Sequence, residues 1–255
     1  VCQANACIRA FIQTTSTSTL VPMTAPTAGT SEPPIRRESL DAPSELIRAA
    51  ERLFAERGID AVSMREITRQ AGQRNTTALQ YHFGDRDGLL RGLVEKHMTQ
   101  VALRRAALLD NVEGRLDVTL RDGASILVQP LISKLVSTDG GPAFLQIAAE
   151  LMNRADRIID ESEPVGPLLY DSLGTMERWA ARFRGLMPAG TTGAPLHRRF
   201  AVIRFAHIEV GRRARIGPPI DVPLFTSQLL DMATALLGAE LSEETKSLLA
   251  RRDRA

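Results

Sequence analysis

Cysteine is almost absent from this 255-residue chain: the two present, Cys2 and Cys7, lie in an opening stretch without helical or alternating periodicity. That excludes a disulfide framework and any cysteine-based zinc spacing. Histidine is scarce as well. His82, His97, His197 and His207 are scattered, no HExxH pair occurs and no glycine-rich phosphate loop is present, so neither metal nor nucleotide chemistry has a motif to start from. His207 and Glu209 stand two apart and so face different sides of a helix. Long apolar runs are missing too: none approaches the roughly 20 residues that span a bilayer, and the start lacks a basic region followed by an apolar one. Finally, no charge sign dominates. With 32 Lys+Arg against 30 Asp+Glu the net charge is +2, so any attraction to nucleic acid has to come from a local patch. The expectation is a cytoplasmic chain that is not an enzyme and carries no cofactor or metal.

What is present is enough apolar content, 44%, to build a substantial core, in one large domain or two modest ones. Residues 1–40, rich in Thr, Ser, Ala and Pro, read as a disordered tail. The chain opens with Val1 and its first methionine is Met23, which leaves a translation start at Val1 or near Met23 as the two alternatives. Arg36 and Arg37 in this stretch read as solvated linker beside Glu38, or else as a basic arm.

Helical patterning begins at Asp41. In DAPSELIRAAERLFAERGI, Ile47, Ala50 and Phe54 recur at helical spacing, Leu46 and Leu53 widen the stripe, and Gly58 falls where a left-handed cap is expected. In VSMREITRQAG, Ser63 and Glu66 form a capping box, Met64, Ile67 and Ala71 face inward, and Gly72 closes a short helix. A third short helix, capped by Asn75 or Thr76, runs through TALQYHF with Leu79 and Phe83 on its apolar stripe. Gly84 ends it. Asp85 caps a long fourth helix whose neighbouring faces carry Leu89, Leu93, His97, Val101, Arg104 and Leu108.

Two short helices joined by a tight glycine turn cross steeply, and the second presents its first residues outward. Arg74, Asn75, Thr76, Thr77 and Gln80 are side chains able to touch phosphates or read base edges in a major groove. The plainer alternative is that Thr76, Thr77 and Gln80 only cap and solvate a surface helix. With LFAERGID, SMREITRQAG, the YHF triplet and GDRDGLL in this order, the segment from Ser44 to Leu93 resembles the DNA-binding region of the tetracycline-repressor (TetR) family of transcriptional regulators. The resemblance implies that Thr76 to Phe83 is the recognition helix. It also implies that Tyr81, His82 and Arg86 sit where backbone phosphates are touched, and that Ser63 and Arg65 open the supporting helix beside the DNA backbone. The segment between Gly72 and Tyr81 carries one residue more than the commoner family spacing, which leaves the base-reading register open by one position.

One helix-turn-helix makes few phosphate contacts, so a homodimer on double-stranded DNA is expected, with a palindromic operator and recognition helices about 34–36 Å apart or a multiple of that. Beyond Leu109 the pattern is helical in segments 115–137, 142–160, 165–187, 195–215, 222–238 and 242–253, with Pro130 expected to kink the first, PAGTTGA at 188–194 a flexible connection, and Ser242 capping the last. The fold class is therefore all-α: a tail (1–40), a three-helix helix-turn-helix domain (41–90) and a larger helical bundle (91–255), which the resemblance implies serves effector binding and dimerisation.

In the late helices, Leu196, Phe200, Ile203, His207 and Val210, followed by Phe225, Leu229, Met232 and Leu236, form stripes expected at a dimer interface, with Ala206 and Gly211 permitting close approach. Packing of the same faces inside one chain is the alternative. The family also implies a small-molecule effector. Phe144, Met152, Tyr170, Trp179 and Phe183 are candidate lining, with His97 and Arg104 as polar contacts and ordinary core as the alternative. The functional expectation is a dimeric sequence-specific regulator, a repressor released by its effector. Its rival is a helical protein-interaction scaffold without ligand control.

Overall fold

Every regular element among the described residues is helical. The computed structural model describes residues 42–73, 77–154, 163, 166–171, 173–217 and 221–252. The expected tail, with Met23, Arg36 and Arg37, lies outside them, as do Arg74, Asn75 and Thr76.

The elements are α1 (Ala42–Arg57), α2 (Met64–Gln70), α3 (Thr77–Phe83), α4 (Arg86–Asp110), α5 (Leu120–Ile132), α6 (Gly141–Arg154), α7 (Thr175–Phe183), α8 (Arg198–Ile216), α9 (Val222–Gly238) and α10 (Glu243–Arg252). Three boundaries follow the local chemistry read from the sequence. Ser63 caps α2 in a reciprocal box, Ser63 N donating to Glu66 Oε2 at 2.9 Å and Glu66 N to Ser63 Oγ at 3.2 Å. Asp85 caps α4 by accepting from Gly88 N at 2.9 Å, and Ser242 accepts from Thr245 N at 3.2 Å before α10.

Two segments differ from expectation. The first C-terminal helix starts at Leu120, not near 115, because Thr119 and Asp122 form a second capping box. It passes through Pro130 and tightens into a 3₁₀ turn at Ser133–Val136. The single helix expected over 165–187 is broken: a 3₁₀ turn at Gly166–Leu168 precedes α7. Asp171 Oδ1 takes the backbone N–H of Leu173 and Thr175, and Gly174 stands at φ 63, which turns the chain before α7 starts.

Leu46, Phe54, Ile59, Val62, Ile67 and Leu79 form the interior of a head built from α1 to α3, continuous with Leu89 and Leu93 of α4. Residues Ser39–Ala255 form one compact unit, and α4 runs unbroken through the boundary expected at residue 90. The head therefore shares a helix with the body. In the body, α6 packs most extensively on α8 and α5 on α9. Gly211 of α8 is what allows the first pairing, because a Cβ there would stand 2.4 Å from Ala149 Cβ and 2.5 Å from the Leu145 carbonyl oxygen on α6.

That crossing corrects the expected dimer stripe. Ile203, His207 and Val210 of α8, and Leu229 of α9, are buried within a single chain, so they have no surface left for a partner. Leu196, Phe200 and Phe225 are half-buried, while Met232 and Leu236 stay 37% and 40% exposed.

Candidate nucleic-acid interface

α3 is a seven-residue helix held by one side. Leu79 is its fully buried anchor, and Phe83 packs against Gly92 of α4, where a Cβ would come within 2.9 Å of the ring. With those positions turned inward, the 100° step places Thr77, Gln80, Tyr81 and His82 outward, and all four are exposed. Tyr81 reaches 83% exposure, a large value for an aromatic side chain, and its ring meets His82 edge-on at 4.9 Å.

α2 supports this face. Ile67 and Thr68 are buried, Thr68 Oγ1 donating to Met64 O at 2.8 Å, which leaves Arg65 and Arg69 exposed on the other side, four residues apart. Arg69 escaped the sequence reading although its i,i+4 spacing from Arg65 was visible there. Ser63 is exposed too, but its hydroxyl belongs to the cap: it donates to Glu66 Oε2 at 2.9 Å. Glu66 also takes Arg57 Nη2 at 2.9 Å, and the Ser63 N–H together with Arg57 holds its carboxyl down to about 2.

Arg86 is placed differently from Tyr81 and His82. Its guanidinium turns back under the head, Nη1 donating to Ile59 O at 2.5 Å and Nη2 to Val62 O, with its carbon 5.9 Å above the Phe54 ring. The group ties the α1–α2 loop to the start of α4, and in this arrangement it is not offered to a phosphate.

Of the expected effector-lining residues, Phe144, Met152, Trp179 and Phe183 belong to one buried core cluster, with Tyr170 packed against it. His97 lies at the joint between head and body: its Nε2–H donates to Glu51 Oε1 of α1 at 2.8 Å and its ring stacks on Phe144 at 4.5 Å. Burial holds His97 below the usual histidine range, the Glu51 carboxylate opposing that shift. Lys96 bridges the same carboxylate, at 2.9 Å, to Asp139 at 3.0 Å. Trp179 and Phe183 form a pair between α5 and α7, rings 5.4 Å apart, with Trp179 Nε1 donating to Gly123 O at 2.8 Å. Met152 is buried, and Tyr170 is half-buried against Phe200 at 6.4 Å. Arg104 is exposed, and it is the next residue, Arg105, that enters the interior. The buried row of α4 advances by fours through His97, Val101, Arg105 and Leu109, so Arg104, expected on the inward face, falls outside it.

Residues 46–93 match the family described as bacterial regulatory proteins, tetR family. No curated protein matches the chain. Among solved structures, the fatty acid degradation regulator FadR from Bacillus halodurans is similar, with 15% identity, 78% of this chain and 96% of that one covered, and a TM-score of 0.52. Salmonella enterica GusR matches with 20% identity, 79% and 98% coverage and a TM-score of 0.44. A TetR-family transcriptional regulator from Pectobacterium atrosepticum matches with 20% identity, 79% and 95% coverage and a TM-score of 0.43.

Proposed function

Because the chain belongs to the TetR family of bacterial regulatory proteins through residues 46–93, we propose that it is a homodimeric, sequence-specific transcriptional regulator. In this reading it represses from a palindromic operator in the cytoplasm and is released by a small-molecule effector. The observation that carries the proposal is the outer face of α3. Thr77 and Gln80 are exposed, not built into the core, and Tyr81 and His82 continue the same surface. Gln can bond adenine edges bidentately and Thr can meet a thymine methyl, while Arg65 and Arg69 on α2 supply the cationic flank for phosphates.

Dimerisation is supported by what the monomer leaves uncovered. Leu224, Met232 and Leu236 lie on one i+4 row of α9 at 65%, 37% and 40% exposure, with half-buried Phe225 beside them. A second copy related by a two-fold axis meets this row with the same row. α9 is also tied to α5 of its own chain through Arg121, which pairs with Asp231 on the flank beside Leu224. Release follows if an effector binds better to one spacing of the two heads than to the other, with α4 as the lever, since it carries α3 at one end and body contacts along the rest.

Retention on duplex DNA at rising salt, read together with sedimentation, tests the proposal. A dimer whose affinity falls by a constant power of salt concentration is expected. A dimer that ignores DNA at low salt would instead favour the scaffold role.

A further inference from the structure

α6 reaches the head at both of its ends, and a carboxylate makes the junction each time. At the first end Glu51 of α1, 3% exposed, accepts Lys96 Nζ at 2.9 Å and the His97 Nε2–H at 2.8 Å, both from α4. Lys96 carries the link on to Asp139 Oδ1 at 3.0 Å, just before α6, and the His97 ring lies on Phe144 of α6. Gly140 lets that turn close, because a Cβ there would fall on the Glu51 carboxylate. At the last end Glu150 Oε1 accepts from Ile59 N at 3.3 Å in the loop between α1 and α2, and Arg154, paired with Glu150, also holds Asp60 at 2.8 Å. Arg86 of α4 takes the carbonyl oxygen of the same Ile59. One residue is thus held by α6 through its N–H and by α4 through its C=O.

Neither carboxylate stands where it serves stability best. Burying Glu51 with its partners takes charge out of water, and an apolar filling of similar volume is often no worse. Glu150 lies at the C-terminal end of α1, whose last carbonyls carry partial negative charge, so its own charge opposes that end of the dipole until Arg154 offsets it. The pair of Arg154 with Asp60 adds little by itself, since both side chains are exposed. What these groups do supply is direction. Apolar packing such as that between α1 and α6 tolerates small slides, whereas a carboxylate bonded to one backbone N–H, or to two side chains of the next helix, fixes a single register. Ala149, the residue before Glu150, lies against Gly211 of α8, so a shift of α6 on α8 reaches the head loop within one residue of chain.

We propose that Glu51 and Glu150 are positioning residues: they set the orientation of the head on α6, and through it the distance between the two DNA-reading helices of a dimer. The inference rests on the dimeric DNA-binding reading above and adds α6, beside α4, as the element that holds the head. Losing either carboxylate leaves α3 and its outward side chains intact but frees the head to tilt. Base preference within a half-site is then kept, while the preference for one half-site spacing is lost.

The test compares Glu51→Gln, Glu150→Gln and Glu150→Ala with the wild type in the full chain, folding being checked by circular dichroism. Trp179→Phe, which loses the bond to Gly123 O, is the control weakened away from the joint. In a Cys2→Ser/Cys7→Ser background with a spin label at Glu56→Cys, an exposed position of α1, pulsed electron paramagnetic resonance reads the distance between the heads of the free dimer. Affinity is then measured for duplexes that keep one half-site sequence and change only the spacer. Glu150→Ala and Glu51→Gln should widen the distance distribution and cut the discrimination between the best spacer and its neighbours by about fivefold or more. Glu150→Gln, which keeps an oxygen for the Ile59 N–H, should stay closer to the wild type, and Trp179→Phe should lose stability while changing neither reading. If Glu150→Ala does not fold, Glu51→Gln decides. Carboxylate variants that melt earlier yet keep both the distribution and the spacer preference would make these residues merely structural and overturn the proposal, as would the absence of any distance between heads. A wild type that ignores every duplex would sink the DNA reading, and the distance measurement would still decide whether the carboxylates hold the heads.

Discussion

Replacing Gly211 by alanine adds one methyl group at the close crossing of α8 on α6. The new Cβ would meet Ala149 Cβ at 2.4 Å and the Leu145 carbonyl oxygen at 2.5 Å, about 1 Å inside ordinary contact. Neither atom belongs to the far end of a flexible side chain, so α8 has to move off α6. Overpacking of this kind costs typically 1–3 kcal/mol, and a clash against backbone belongs near the top, about 3 kcal/mol. Alanine regains roughly 1 kcal/mol of helix propensity over glycine, leaving a net loss of about 2 kcal/mol. For a chain of this size the melting temperature should fall by about 4–8 °C. Ala149→Gly combined with Gly211→Ala should recover part of the loss but not all, since the Leu145 carbonyl stays in the way. The deficit should not depend on chain concentration, and the dimer dissociation constant should be unchanged, because this face belongs to a single chain. A Gly211→Ala protein that melts at or above the wild-type temperature, or that dimerises poorly with its own stability intact, would refute the α6–α8 packing on which this account rests.

Arg86→Ala should lower head stability by roughly 2–4 kcal/mol, since its guanidinium bonds two carbonyls. Its DNA affinity should recover once the head is kept folded by stabilising osmolyte, as operator titration with and without trimethylamine N-oxide would show; a persistent, purely salt-dependent loss would return Arg86 to the phosphates. Glu51→Gln removes the carboxylate that takes both His97 and Lys96 and should cost about 1–3 kcal/mol in urea melts. Burial holds the His207 imidazole down to about 4 against a usual 6.5. The unfolded chain therefore binds the proton first, so this contribution is fully present above pH 6.5 and is lost as the pH falls toward 4. The full loss is roughly 3 kcal/mol. His207→Leu should flatten the stability curve between pH 7 and 4.5 by that order, and an unaltered slope would show that the imidazole is hydrated.

Much of the head was legible because its signals are local. Ser63 with Glu66, Asp85 before Gly88, and the inward positions Leu46, Phe54 and Leu79 all act within one or two turns of themselves, so composition and spacing suffice to find them. The exposed quartet on α3 follows from the same logic once Leu79 and Phe83 are assigned inward. What escaped is contact across sequence distance. A stripe such as Ile203, His207 and Val210 states that a face is covered without stating by what, and here it is buried within the same chain, where α8 packs on α5, α6 and α9. Arg86 reaches carbonyls 27 and 24 residues earlier, and His97 meets Glu51 46 residues away. Arg105 was missed by one position because the inward arc of a long helix drifts when its buried residues step by four. The box of Thr119 and Asp122 was passed over because its acid is Asp and not the commoner Glu.

The most direct measurement of the central claim is selection of bound duplexes from a random pool by the wild-type chain and by its Thr77→Ala and Gln80→Ala variants. A palindromic site is expected from the wild type. Each variant should relax preference at particular base pairs by about 1–3 kcal/mol, symmetrically in both half-sites, with the remaining positions unaltered. Identical sites and affinities from all three proteins would place the outer face of α3 away from the bases and contradict the account.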